Sequence, residues 1–168
     1  DWKVLAESNP LRLEVGIESL DEDVRFHMGK KFNQEDLNYG LEQCLKYNIL
    51  IDGNMIVGYP TETQQSINNA KNWLTENKRF IPIIKFTFGG TMMLLPGTWI
   101  ALNKEELGIK AWGPPHFLWS CKRTGSTPKQ RILWWKEMQG HAIKQGWTAI
   151  NGIENNAIID KMLELDFE

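Results

Sequence analysis

Apolar and polar residues alternate along the first half of the chain in a way that predicts strands separated by helices. Leu11 to Ile17 alternates after the turn signal Asn9-Pro10, which predicts a strand closed by Glu18-Ser19. Asp21, Glu22 and Asp23 then open a short helix, acidic where a helix N-terminus favours negative charge. From Gln34 to Tyr47, Leu37, Leu41, Cys44 and Leu45 share one helical face. A second strand runs from Ile49 to Val57 and ends at Gly58-Tyr59-Pro60, where proline has no N–H for a ladder. A helix from Thr63 to Glu76 turns Ile67, Ala70, Trp73 and Leu74 inward. Pro82 introduces a third strand, Ile83 to Phe88, which the pattern stops at Gly89-Gly90.

Strand, helix, strand, helix, strand predicts an α/β fold with a parallel sheet and right-handed crossovers. Ligands of such sheets bind at the loops that follow the strands. After Gly90 the pattern breaks up. Pro96-Gly97 is a turn, Asn103 to Leu107 a short helix and Gly113-Pro114-Pro115 a second break. Thr127-Pro128 then starts a clear helix, which carries Ile132, Trp135, Met138 and Ala142 and ends at Gly146. Asn155 to Leu165 fits a last helix. The expected division is a sheet-and-helix part over residues 1–100 and a helical, tryptophan-rich extension over 101–168.

The 168 residues are 42% hydrophobic and 24% charged, an ordinary globular composition. A net charge of -2 with scattered basic residues gives no nucleic-acid signal, and no apolar run spans a bilayer. Cys44 and Cys121 are too few and too far apart for a disulfide framework or a local metal site, which fits reduced thiols and a cytoplasmic setting. Five of the eight tryptophans, Trp99, Trp112, Trp119, Trp134 and Trp135, fall in one stretch. Packing of the last helix is the expected use of that stretch, although His116, Trp119 and Arg123 are placed where a substrate could be touched. His116 and His141 lack ligand-spaced partners for a metal.

Two strand ends carry candidate chemistry. Val15-Gly16-Ile17-Glu18-Ser19 puts a carboxylate and a hydroxyl at the ligand-facing rim, where Glu18 could accept from ribose hydroxyls or simply cap a helix. In Asn54-Met55-Ile56-Val57-Gly58, the glycine lets a planar group approach the backbone while Ile56 or Val57 packs beside it. Glu62 lies at the start of the next helix, where complementing the helix dipole is an equal use for it.

These segments, in this order with Met28-Gly29-Lys30-Lys31 and Ile56 to Thr63, resemble the later strands of the radical S-adenosylmethionine (SAM) barrel. The similar branch is that of the cobalamin-binding-domain and methylthiotransferase-like enzymes. Leu95-Pro96-Gly97-Thr98 resembles the turn beyond the family's sixth strand, and the similarity covers roughly the first hundred residues.

The resemblance implies the last three strands of a partial parallel (β/α) barrel. It implies that Glu18 and Ser19 contact the SAM ribose, that Ile56, Val57 and Gly58 lie along the adenine, and that Lys30 reaches the SAM carboxylate, with Glu62 nearby. Phe86 and Phe88 would alternate between the barrel lumen and the outer helices. The family's C-x-x-x-C-x-x-C motif, which holds a [4Fe–4S] cluster, is absent and belongs upstream of Asp1. Leu20 and Asn54 stand where the family commonly has glycine.

The intact family cleaves SAM reductively and abstracts hydrogen from a substrate, with electrons from a flavodoxin or ferredoxin, and in this branch cobalamin can be a further cofactor. A chain with this half alone would be inactive. It would also be poorly soluble or oligomeric through its uncovered first strand. Two competing expectations are a non-catalytic α/β binding domain of the same ancestry and an unrelated phosphate-binding module. The second needs a glycine loop before a helix, whereas Gly89-Gly90-Thr91 runs into Met92-Met93-Leu94-Leu95-Pro96.

Overall fold

The computed structural model describes residues 1–112 and 116–151. The expected helix from Asn155 to Leu165 and the Gly113-Pro114-Pro115 break lie outside them.

A short helix α1 (Trp2–Glu7) precedes strand β1 (Leu13–Glu18), and helices α2 (Glu22–His27) and α3 (Gln34–Lys46) lead to β2 (Ile51–Val57). Helix α4 (Gln64–Glu76) connects β2 to β3 (Ile84–Thr91). A long excursion follows, with α5 (Trp99–Leu102) and the strands β4 (Ile109–Ala111) and β5 (Trp119–Cys121). Helix α6 (Pro128–Lys144) then returns the chain to β6 (Thr148–Asn151).

The helices begin where their sequences supply caps. In α3, Asn33 accepts from the Asp36 N–H and Asp36 accepts from the Asn33 N–H. In α6, Thr127 accepts from Gln130 N–H at 3.0 Å and Pro128 occupies the first turn. That helix ends at Gly146, whose φ of 93° lets Trp147 N–H reach back to the Ala142 carbonyl at 3.0 Å.

The main sheet has the order β1-β2-β3-β6, with every pairing parallel. Chain order therefore runs across the sheet without reversal, and each crossover carries helix. The strands alternate cleanly: Ile51, Gly53, Met55 and Val57 of β2 are buried while Asp52, Asn54 and Ile56 are partly exposed. One face packs Ile17, Ile51, Met55, Ile84, Phe86 and Phe88 against Leu41 of α3, Leu74 of α4 and Met138 of α6 in a single core. Trp147 joins this core between Trp73 and Phe86, with ring centroids 5.9 and 5.3 Å away. The opposite face is polar. Asp52 pairs with Arg12 at 2.5 Å and Lys85 at 3.4 Å, and Asn54 donates to Glu14 at 2.8 Å.

Several expectations need correction. The sheet has four described strands, not three, because the segment expected to be a helical extension contributes β6 to it and β4-β5 as an antiparallel hairpin. A boundary at residue 100 cuts α5, and β6 beyond it pairs with β3 from Lys85↔Thr148 to Phe88↔Asn151. Strand β3 continues through Gly89-Gly90 to Thr91, and Met92 N–H still bonds the Val57 carbonyl at 2.8 Å. Helix α5 lies ahead of the short helix expected from Asn103. Phe86 and Phe88 do not alternate: two residues apart on a strand, they share a face, and both are fully buried against the helices.

The excursion between β3 and α6 builds a second small core, in which its Leu94, Ile100, Ile109 and Trp119 pack with Val24 of α2 and Tyr59 after β2. Arg131 of α6 clamps it to the sheet. Its buried guanidinium donates to the carbonyls of Trp119 (2.9 Å) and Phe117 (2.6 Å) and lies 3.7 Å from the centre of the Trp119 ring. Burial lowers its pKa to about 9. Trp134 and Trp135 are also buried, as packing residues should be, but Trp99 is largely exposed.

Candidate functional site

Parallel strands bring their C-terminal ends to one rim, and here the ends of β1 and β2 are neighbours. Their register runs Gly16↔Asn54 and then Glu18↔Met55, so β1 carries one extra residue, a bulge. Glu18 absorbs it in the left-handed region, with φ of 66°, uncommon for a residue with a side chain. This conformation re-aims its carboxylate, which meets the Lys30 ammonium at 3.1 Å. Both ends lie over Gly16. A Cβ there would sit 2.6 Å from Glu18 Oε1 and 3.0 Å from Lys30 Nζ. The glycine is thus the floor on which the ion pair rests.

Lys30 is delivered by the end of α2. Gly29, with φ of 79°, turns the chain, and Lys30 N–H bonds the Arg25 carbonyl at 3.1 Å. Tyr59, first residue after Gly58, donates its hydroxyl to the His27 carbonyl at 2.7 Å and ties this turn to the end of β2. Burial raises the Tyr59 pKa, which keeps that hydroxyl a donor. His27 Nδ1 lies 2.7 Å from the Asp23 carbonyl, so Nδ1 carries the proton in that contact.

These residues surround a cleft of about 660 Å³, lined by Glu18, Lys30, His27, Ile56, Tyr59 and Trp99. The volume lies in the range of small-molecule sites, in the location where open parallel sheets bind ligands. Of the residues singled out from the sequence, Glu18, Lys30 and Ile56 meet here.

The other four serve the frame. Ser19 is buried, and its hydroxyl accepts from Asp21 N–H at 3.2 Å while its carbonyl accepts from Arg25 at 2.9 Å. Val57 has the opposite strand parity to Ile56, so its side chain enters the helical core. Gly58 does sit at the same rim as Glu18, but the space beside its α-carbon is taken by the Arg131 stem and not left for a planar ligand. Glu62 precedes the Thr63 cap of α4 and folds back to accept the Gly58 N–H. It is fully buried, which pushes its pKa up to about 7; nearby Asp21 adds to the rise, and the bonds from the Gly58 and Tyr59 N–H groups partly offset it.

Tyr59, His27 and Trp99 complete the site without a sequence signal strong enough to single them out as cleft residues. Trp119 is not available to a substrate, because it is fully buried under Arg131. Arg123 is bonded to the Leu107 carbonyl at 2.8 Å, and the His116 carbonyl accepts from Leu94. Cys44 lies in the core under α3, where burial raises its pKa, and Cys121 lies in the core of the hairpin. Neither lines the cleft. Among the described residues no group of three or more His, Cys, Asp or Glu side chains could hold a metal ion, and no described helix is long and apolar enough to cross a membrane. No family model and no curated protein matches the chain.

Proposed function

We propose that this cleft binds the nucleoside of SAM and that the chain is part of a radical SAM enzyme, carrying the ribose and adenine side of the pocket. The observation that carries the reading is Glu18, held in the left-handed region at the bulged end of β1 with its carboxylate over Gly16. A carboxylate at a sheet rim accepts from two vicinal hydroxyls at once, a charge-assisted contact specific for a ribose. Ile56, on the neighbouring strand and the same side, offers an apolar surface for the base. Lys30 neutralises Glu18 in the absence of ligand and is within reach of an anionic group on one.

A sheet without reversal, covered by helices on one face and polar on the other, is also what part of a (β/α) barrel would present. A [4Fe–4S] cluster does not fit the described residues, since neither cysteine faces the cleft. In this reading the thiolates come from elsewhere, and SAM supplies the radical chemistry while this chain binds and orients its nucleoside.

Calorimetric titration with S-adenosylhomocysteine tests the proposal. Saturable one-to-one binding is expected, and Glu18→Gln should weaken it about tenfold or more, the worth of a charge-assisted hydrogen bond. Equal affinity for both chains would defeat the nucleoside reading.

A further inference from the structure

Part of the cleft lining is built differently from its charged rim. Met28, Met92, Trp99 and Ile100 form this wall, and the segment beside it exposes Met93, Leu95 and Leu102. Trp99 is 63% exposed and Leu102 74%, while Ile100, between them, is buried in the hairpin core. A four-residue helix thus turns its large apolar side chains outward, three residues apart on one face.

This wall is held rigidly. Thr98 caps α5, the Asn103 amide donates to the Trp99 carbonyl at 2.7 Å, and Trp119 Nε1 donates to the Met92 carbonyl at 3.1 Å. Leu94 N–H bonds the His116 carbonyl at 2.7 Å, and Met92 N–H is bonded to β2. A rigid apolar platform loses little freedom when a ligand covers it, so the exposure favours binding.

Charge narrows the ligand further. The charged side chains that line the cleft, Glu18 and Lys30, sit together at its rim 3.1 Å apart, and Met28, Met92, Trp99 and Ile100 offer no charge to pair with an ionised group. Methionines adapt to flexible apolar chains better than to one fixed shape.

We propose that the wall formed by Met28, Met92, Trp99 and Ile100 is the substrate side of the cleft, and that it takes the uncharged alkyl chain of a small molecule, with Trp99 as its main contact. The inference rests on the nucleoside reading only in placing the two ligands in one cleft.

The test uses the neutral fluorophore N-phenyl-1-naphthylamine, with 1-decanol as competitor. The wild-type chain should bind the dye saturably and release it to 1-decanol. Trp99→Ala should weaken dye binding at least tenfold, Trp99→Phe should restore most of it, and Leu133→Ala, at an exposed leucine of α6, should change nothing. Equal dye affinity in wild type and Trp99→Ala, or no displacement by 1-decanol, overturns the proposal. So does loss of the dye signal to neutral phosphatidylcholine vesicles that carry the protein down with them, which would make the wall a membrane contact. A wild-type chain that binds S-adenosylhomocysteine but not the dye sinks this inference alone. One that binds the dye through Trp99 but not S-adenosylhomocysteine supports it and sinks the nucleoside reading.

Discussion

The stem of Arg131 passes through the space a side chain would fill at Gly58: a Cβ there would lie 2.2 Å from Arg131 Cδ and 2.4 Å from its Cγ. Gly58 also has φ of 89°, so it is required both by its own backbone and by its neighbour. Gly58→Ala should destabilise the chain by about 3 kcal/mol or more, the sum of left-handed strain and overpacking. Gly140 lies within α6 with nothing inside 4 Å of its would-be Cβ, so Gly140→Ala should stabilise by about 0.5–1 kcal/mol. Urea midpoints at constant slope check both, and equal midpoints would refute the Arg131 packing argument.

Gly16→Ala should separate binding from folding. Its methyl would meet only the flexible ends of Glu18 and Lys30, which can move aside, so the stability read from urea unfolding should fall by less than about 1 kcal/mol. The displaced carboxylate should lower affinity for S-adenosylhomocysteine about tenfold. Unchanged affinity in calorimetry would mean that the pair over Gly16 is not the ligand's seat.

Ser19→Ala gives the opposite pattern. Its hydroxyl accepts the Asp21 N–H just before α2 and lies away from the cleft. Stability should drop by about 1 kcal/mol, the usual worth of a buried hydrogen bond, with ligand affinity unaltered. A large affinity loss would return Ser19 to the binding site.

Glu62 makes stability depend on pH. Its folded pKa of about 7 lies above the 4.5 of a free carboxyl, so between those values the folded chain holds a proton that the unfolded chain releases. Its contribution is therefore fully present below pH 4.5 and lost as pH rises through 7, by on the order of 3 kcal/mol. Glu62→Gln should abolish that part of the slope. Denaturation of both chains between pH 4.5 and 8 measures it, and parallel curves would show that Glu62 titrates normally.

Much of the sheet could be read from the sequence because its strands bury one face. Ile51, Met55 and Val57 alternate with Asp52 and Asn54, and that period survives without any tertiary information. Strand β6 left no such trace. Thr148 to Asn151 is four residues of mixed character, and its state is set by pairing with β3. The hairpin strands β4 and β5 are three residues each and equally silent. At the site, the strand ends pointed to Glu18 and Ile56, since a parallel sheet fixes which end faces a ligand, whereas Lys30 came only from the family resemblance. What placed Ser19 and Glu62 outside the cleft is local hydrogen bonding, and what filled the space at Gly58 is a residue 73 positions later in the chain, beyond the reach of any short motif.

The excursion from Met92 to Ser126 leaves the sheet after β3, rejoins it at α6, and shares its apolar cluster with Val24 of α2 and Tyr59 after β2. Main-chain and side-chain bonds fasten it to the end of β2, from Met92 N–H to the Val57 carbonyl and from the Thr124 hydroxyl to the Pro60 carbonyl. Because Tyr59 also holds the His27 carbonyl, a disturbance inside the excursion is transmitted to the turn that delivers Lys30, so the edge of the cleft and the excursion behave as one mechanical piece.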